Sequence, residues 1–521
     1  MSKYRTAPDQ ELTTWPRGIS FIIGNEASER FSYYGMRAIL ATHLTTLFVA
    51  TGLAEKLAEK HATHDTHIFF AGVYAMPVIG AILADKLFGK YLTIMSLSLV
   101  YCAGHGVLAL GEDSLPGMHL GLLLIAIGAG GIKPCVSANV GDQFGRANWH
   151  LTKKVFQFFY LSINFGSLFS TLLTPFLLTT LGPRVAFGVP GGLMLLATLI
   201  FWAGRYRFVH VPPRTSVTLG VLDALVGSLL FVGVLAIWIF GPEFGLAMWL
   251  RGVISVSCVV LGVALFFYRQ GLARDDGFLA TVLNWAARGR AWTTRELGTE
   301  AVDGAVAVFR IMFVFVSVSV FWSLFDQHAS TWVFQAESMD RHVDLGLFHF
   351  ELLPQQTQST NPALVLLLIP VLLYGVFPAL ERRGIKITPL RRMSVGMFLA
   401  AVAFVGSALI QRAIDAGGEG AVSWLWQLVP YSIMTLAEVL VSATGLEFAY
   451  TQAPPRMKST IMSFWLFTTT IGDVLVAVIA LLPRLEPEGF FWLFAGLMAA
   501  AAAVFLLITL FYRYRDYPQG G

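Results

Sequence analysis

Charged residues are scarce in this chain: they make up 13% of its 521 residues, against roughly 25% in soluble domains. That shortage excludes a soluble fold with a polar exterior. Cysteine is scarcer still. Cys102, Cys135 and Cys258 lie in separate apolar segments, which gives neither metal-ligand spacing nor a disulfide framework. The 49 glycines and 22 prolines follow no period, so a collagen-like chain is excluded, and the high apolar share excludes a disordered one. The chain has no GxxxxGK[ST] loop, no HExxH and no GxSxG, the motifs of P-loop ATP hydrolysis, zinc proteolysis and serine hydrolysis. Residues 1–18 lack the apolar core of a signal peptide, so the first helix is expected to insert directly and be kept. A net charge of +4 is modest and forms no stripe for nucleic acid.

What is present is apolar. Hydrophobic residues make up 56% of the chain, and the mean hydropathy is +0.66. At about 20 residues per membrane helix, hydropathy gives fourteen candidate spans, near 18–50, 66–85, 90–110, 118–141, 153–180, 186–205, 216–240, 246–270, 306–335, 362–380, 391–412, 424–450, 459–483 and 487–512. Loop charges orient them. With the N-terminus inside, 25 Lys/Arg fall on the inner side. Seven fall outside: Lys56, Lys60, Arg184, Arg251, Arg341, Arg412 and Arg484. Arg30, Arg37, Lys133 and Arg310 lie within spans. The positive-inside rule then places both termini in the cytoplasm.

The spans group as six, two and six. The expected fold class is all-α, with an N-terminal six-helix bundle at 18–205, two extra transmembrane helices at 216–270, a cytoplasmic amphipathic linker at 271–305 and a C-terminal six-helix bundle at 306–512. In the linker, Phe278, Leu279, Val282, Leu283 and Ala286 recur at helical spacing beside Asp275, Asp276, Arg288 and Arg290, the pattern of a helix lying on a membrane surface. Paired bundles suggest a transporter with its site at the midplane.

Ionisable residues inside spans carry the functional information, because each is costly in the bilayer and persists where it faces a cavity or a partner. In the first span, Glu26, Glu29, Arg30, Tyr33 and Arg37 fall on one helical face. The stripe is either a structural salt-bridge network or the wall of a polar cavity that binds a carboxylate and holds a proton. Lys133 lies mid-span after Gly128, Gly130 and Gly131 and needs an acid, for which the first span supplies candidates. Asp326, Gln327 and His328 interrupt an apolar run. Asp326 is the best second-half partner for Lys133 or Arg30. Glu438, flanked by apolar residues, is either permanently protonated or satisfied by a ligand ammonium. His67 opens the second span and is either structural or a proton site. Asn164 and Asn361 are either helix glue or ligand contacts, and Trp322 and Trp465 either core or cavity wall.

Five blocks then occur in order: EASERFSYYG at 26–35, GAILADKLFGKY at 80–91, GGIKPCVSANVGDQF, FYLSINFGSL and GLEFAYTQAPPRMKS. Together they resemble the proton-coupled oligopeptide transporters of the major facilitator superfamily, in the bacterial form that carries two extra helices. The resemblance covers nearly the whole chain. It implies a membrane carrier, not an enzyme, that takes up di- and tripeptides with protons by alternating access, with no cofactor beyond the proton gradient. It implies that Arg30, Lys133 and Tyr34 hold the peptide carboxylate, that Glu438, Asn164 and Asn361 hold its amino group, and that Tyr33, Tyr74, Trp322 and Trp465 line side-chain pockets. Proton coupling falls to Asp326, Glu26, Glu29 and His67. A multi-pass protein of the bacterial inner membrane, working as a monomer, is expected. The rivals are a proton-coupled carrier of another solute, a multidrug exporter, an intramembrane hydrolase and a passive channel. Glu438 argues against a simple anion, since it offers a cation site.

Overall fold

The computed structural model describes residues 4–213, 216–241, 245–274, 277–344, 346, 349–384, 388–452, 458–483, 485–512 and 514. Asp275, Asp276, Arg484 and residues 453–457 of the last sequence block lie outside the described residues.

The chain folds into α1 (Ile19–Ala50), α2 (Glu55–Phe88), α3 (Lys90–Leu110), α4 (Leu115–Asp142), α5 (Trp149–Leu181), α6 (Pro183–Ala203), α7 (Val217–Trp238) and α8 (Met248–Leu272). Two short helices follow, α9 (Phe278–Arg288) and α10 (Arg290–Leu297). The rest is α11 (Thr299–Glu337), α12 (Pro354–Arg382), α13 (Pro389–Gly417), α14 (Trp424–Ala449), α15 (Lys458–Ala480) and α16 (Pro487–Phe511). Among the described residues, thirteen helices are long and apolar enough to cross a membrane. α1, at 32 residues, is long enough as well, and its charged stripe lowers its hydropathy. A two-stranded antiparallel hairpin, β1 (His342–Asp344) and β2 (His349–Glu351), follows α11.

Two boundaries differ from expectation. Hydropathy starts the second span at 66, yet α2 begins at Glu55, because EKLAEKHATHDTH is polar but helical, with Glu55 and Lys56 exposed and Ala58, Ala62, Thr63, Asp65, Thr66 and His67 buried. His67 therefore does not open a helix. It is the thirteenth residue of α2 and fully buried. α11 likewise starts at Thr299, seven residues before the expected 306.

The chain forms two compact units. Unit 1 comprises residues 1–273 with 355–362, and unit 2 residues 274–354 with 363–521. Lipid is as apolar as a leucine side chain, so helices in unit 1 associate through close packing at small residues. Gly80 of α2 lies against the backbone of Gly130 and Gly131 in α4. On the other side of α4, Gly128 lets Leu97 and Tyr101 of α3 approach, and Gly121 faces Leu108 and Gly104. α4 is capped by Ser114, whose hydroxyl accepts from Gly117 N (3.2 Å), and runs unbroken through Pro134. Because a side chain at position 80 meets backbone and not a movable side chain, Gly80→Val is expected to cost at least about 1–3 kcal/mol. Thermal unfolding in detergent reads it as a lowered midpoint, and an unchanged midpoint would contradict the packing.

In unit 2, α11 and α13–α16 pack around Phe321, Phe404, Phe494, Trp332 and Tyr431. The amphipathic stretch of the linker is α9, and its Phe278 and Val282 pack on this core. Three buried glutamines join the helices: Gln335 Nε2 donates to Ser407 O (3.0 Å) and Gln411 Oε1 (3.1 Å), and Gln427 Nε2 donates to Trp332 O (2.9 Å).

Candidate functional site

The helical period of α1 brings its charges to one face, and the fold buries that face. Glu29 is fully buried, and Glu26, Arg30 and Arg37 are each at most 8% exposed. Arg30 Nε lies 2.9 Å from Glu26 Oε1 and 2.7 Å from Glu29 Oε2. One guanidinium thus serves two carboxylates. Lys133 of α4 completes the group. Its amine sits 4.3 Å from the Tyr33 ring centroid and 4.0 Å from that of Tyr74. A desolvated ammonium between two aromatic faces gains about 2 kcal/mol or more per ring at the upper end. α1, α2 and α4 therefore meet in a cluster of two acids, two cations and two tyrosines. Tyr34 packs edge-on to Tyr33, at 5.3 Å and 74°.

His67 lies further along α2, edge-on to Phe70 at 5.4 Å. Arg37 covers Phe70 from the α1 side at 4.3 Å. Asn164 is buried on α5 and donates to Tyr160 O (3.0 Å). Two residues on, Gly166 permits α5 to touch α1: a Cβ there would lie 2.8 Å from Ala27 O and 3.4 Å from Arg30 Cβ. Asn361 belongs to the short segment of α12 that packs with unit 1. That segment is fastened by Gln358 Nε2, which donates to Ala38 O (3.0 Å), and Gln356 Nε2, which donates to Leu172 O (2.9 Å).

In unit 2, Trp322 and Trp465 meet edge to face at 6.1 Å and 78°. Asp326 follows Trp322 by one turn, is 2% exposed, and begins a 3-10 turn, Asp326–Ala329, that interrupts α11. Gln327 Nε2 donates to Ser323 O (2.8 Å) and Thr331 Oγ1 donates to Gln327 Oε1 (3.0 Å), so the break is held by side chains. Glu438 ends an α-helical stretch of α14 and is followed by a π-helical turn, Val439–Ala443. Such turns recur at functional sites because they re-aim a side chain. Among the described residues, no three His, Cys, Asp or Glu side chains are grouped as metal ligands.

Sequence reasoning missed three buried polar features. Ser32 of α1 shares a hydrogen bond with His105 Nε2 of α3 (2.9 Å). Tyr101 stacks on that imidazole at 5.3 Å and 13°. His119 of α4 pairs with Asp65 of α2 at 2.8 Å. Asp473 of α15 is fully buried and follows Gly472, which lies against Ser323 N and Trp322 Cβ of α11. Asp473 and His105 each interrupt an apolar run, a signal readable from the sequence. Asp65 lies in a polar helix end that hydropathy discards, and His119 lies at the edge of an expected span.

Residues 91–493 match the POT family. "Peptide transporter family 1" of Drosophila melanogaster is 29% identical over 96% of this chain and 88% of its own length. "Solute carrier family 15 member 2" of Mus musculus is 34% identical over 79% of this chain and 51% of its own length. This chain thus spans about half the length of several curated relatives. A crystal structure of an auto-inhibited POT family peptide transporter superposes with a TM-score of 0.79 at 40% identity, covering 97% of this chain and 99% of that one. The POT family transporter PepTSo gives 0.77 at 39% identity, over 95% and 98%. With the family's match over residues 91–493 and a superposition that covers 97% of it, the chain belongs to the POT family of membrane transporters.

Proposed function

We propose that the protein imports di- and tripeptides together with protons by alternating access, across the bacterial inner membrane, as a monomer with both termini cytoplasmic and with no cofactor or chemical conversion of the substrate. The observation that carries this reading is the buried cluster of Glu26, Glu29 and Arg30 beside Lys133. It holds cations for a carboxylate and acids for a proton in one place. Arg30, Lys133 and Tyr34 bind the peptide carboxylate. Glu438, with Asn164 and Asn361, binds the ammonium group. Tyr33 and Tyr74 act under Lys133, and Trp322 and Trp465 bound the space for side chains. A zwitterionic peptide carries a carboxylate and an ammonium whatever its side chains, so groups of opposite charge recognise its shared termini and orient its backbone, and the side chains can vary. The acids Glu26, Glu29 and Asp326, with His67, carry the proton.

The ammonium site gives a sharp test. Glu438→Gln is expected to weaken binding of a free dipeptide at least about tenfold more than binding of its N-acetylated form, since an ammonium stripped of water loses its counter-charge. Competition against a labelled dipeptide measures both. Equal losses for the two ligands would remove Glu438 from the ammonium role and leave the carboxylate site standing.

A further inference from the structure

α7 and α8 carry none of the residues of the candidate site. Most of their surface faces outward: Val217, Trp249, Val256 and Val260 are each at least 63% exposed. A pair of helices that merely filled membrane would need no charge. Yet α7 carries Asp223 and α8 carries Arg269, and the two form a bidentate pair, Nε to Oδ1 at 2.7 Å and Nη2 to Oδ2 at 3.0 Å. The Arg269 side chain is 5% exposed, and its Nη1 donates to Ala273 O (2.7 Å). The same carboxylate faces a second cation. Lys86 Nζ of α2 lies 3.9 Å from Asp223 Oδ2.

The contact is not confined to charge. Gly220 of α7 lies against the carbonyl of Lys86, and a Cβ there would stand 3.0 Å from Lys86 C and 3.2 Å from Leu87 Cα. Gly227, two turns on, faces Ile82 and Ile79. Glycines at both points let one backbone press on another. What they press on is the irregular end of α2. Leu83–Phe88 is π-helical, and Gly89 turns the chain at φ +76° into α3. π-Helical segments are rare, weakly bonded interruptions. This one is clasped on its far side by Lys90, whose amine donates to Asp142 Oδ2 of α4 (2.6 Å). Nearer, it is clasped by the α7–α8 pair.

We propose that α7 and α8 form a brace that fixes the π-helical end of α2 through Asp223, and so set the position of the helix that carries Tyr74 and His67. Asp223 is a positioning residue. It acts on Lys86 and the turn, while the bidentate Arg269 fork keeps its carboxylate aimed. The brace is a conformational element of the transport cycle and makes no contact with substrate.

The test uses the full chain in lipid nanodiscs and proteoliposomes. Hydrogen–deuterium exchange of the peptide covering 83–90 is followed in the wild type, Asp223→Asn, Asp223→Glu and Gly220→Leu. Exchange there is expected to rise about tenfold in Asp223→Asn and Gly220→Leu, the scale of one lost charge-assisted contact in a locally opening segment. Asp223→Glu, which keeps the charge, is expected to restore protection. Exchange within α4 stays at the wild-type level. The initial rate of solute uptake falls at least about threefold in Asp223→Asn, with half-saturation unchanged, because the site itself is intact. Unchanged exchange at 83–90 in both altered chains overturns the brace, as does a rise of equal size across the whole chain. Raised local exchange with a wild-type uptake rate overturns its role in the cycle. If Gly220→Leu does not insert, the Asp223 pair decides alone. The exchange arm needs no substrate, so it stands or falls separately from the assignment to peptides.

Discussion

Asp326→Asn is expected to lose gradient-driven accumulation of dipeptide down to the level of empty vesicles while keeping peptide counterflow. The two assays separate coupling from binding. Asp326 is buried inside α11 at a break in the helix. A carboxylate in such a place must hold either a cation or a proton, and the exchange of one for the other is what couples a proton to a conformation. Asparagine has the same shape but holds no charge and takes up no proton, so it imitates the protonated state at all times. Counterflow moves loaded carriers in both directions without net proton movement, so it survives. Folding survives as well. The turn is held by Gln327 on Ser323 and by Thr331 on Gln327, and the substitution touches neither bond. If Asp326→Asn accumulates peptide at the wild-type rate, coupling belongs instead to Glu26, Glu29 and His67.

Arg30→Lys is the second large effect. Uptake is expected to fall at least about a hundredfold, although the charge is conserved. Arg30 stands within 2.9 Å of both Glu26 and Glu29, and its planar fork offers further N–H groups to a ligand carboxylate. A lysine amine is a single point charge on a flexible stem and cannot meet two carboxylates and a ligand with that geometry. Leaving a buried acid without its partner costs about 3–5 kcal/mol, which is about two to nearly four orders of magnitude in an equilibrium. The loss should show in binding of the free peptide as well as in rate. Near-normal uptake by Arg30→Lys would mean that Lys133 alone binds the carboxylate.

Much of this was legible in the residues. The stripe on α1 follows from a period of 3.6, which needs no tertiary information. The spans follow from hydropathy wherever a helix is apolar along its length. α2 shows where that fails. Its first turns are polar, so hydropathy places His67 at a helix end when the residue lies well inside, fully buried. Lys133 illustrates a different limit. Its depth in α4 signals that it needs a partner, and acids of α1 are the obvious candidates. That its amine lies between Tyr33 and Tyr74 depends on how α1, α2 and α4 pack, through glycines whose significance is invisible until the backbones touch. The pairing of His105 with Ser32 and of His119 with Asp65 has the same character: each joins residues more than 50 positions apart. The π-helical end of α2 left no mark in the hydrophobic pattern, and the charges of Asp223 and Arg269 read only as polar residues near the ends of apolar segments. The roles of Asp326 and Glu438 follow from chemistry common to buried acids and from family resemblance, so they rest on experiment.

The central claim is that a proton gradient drives peptides through this chain. Purified protein in proteoliposomes, with the outside made acid, should concentrate a radiolabelled dipeptide above its external level. Collapse of the gradient with a protonophore should return the internal level to equilibrium, and an excess of unlabelled di- or tripeptide should compete where a free amino acid does not. Entry that merely equilibrates and ignores the gradient, or accumulation that a free amino acid blocks as well as a dipeptide does, would contradict the account.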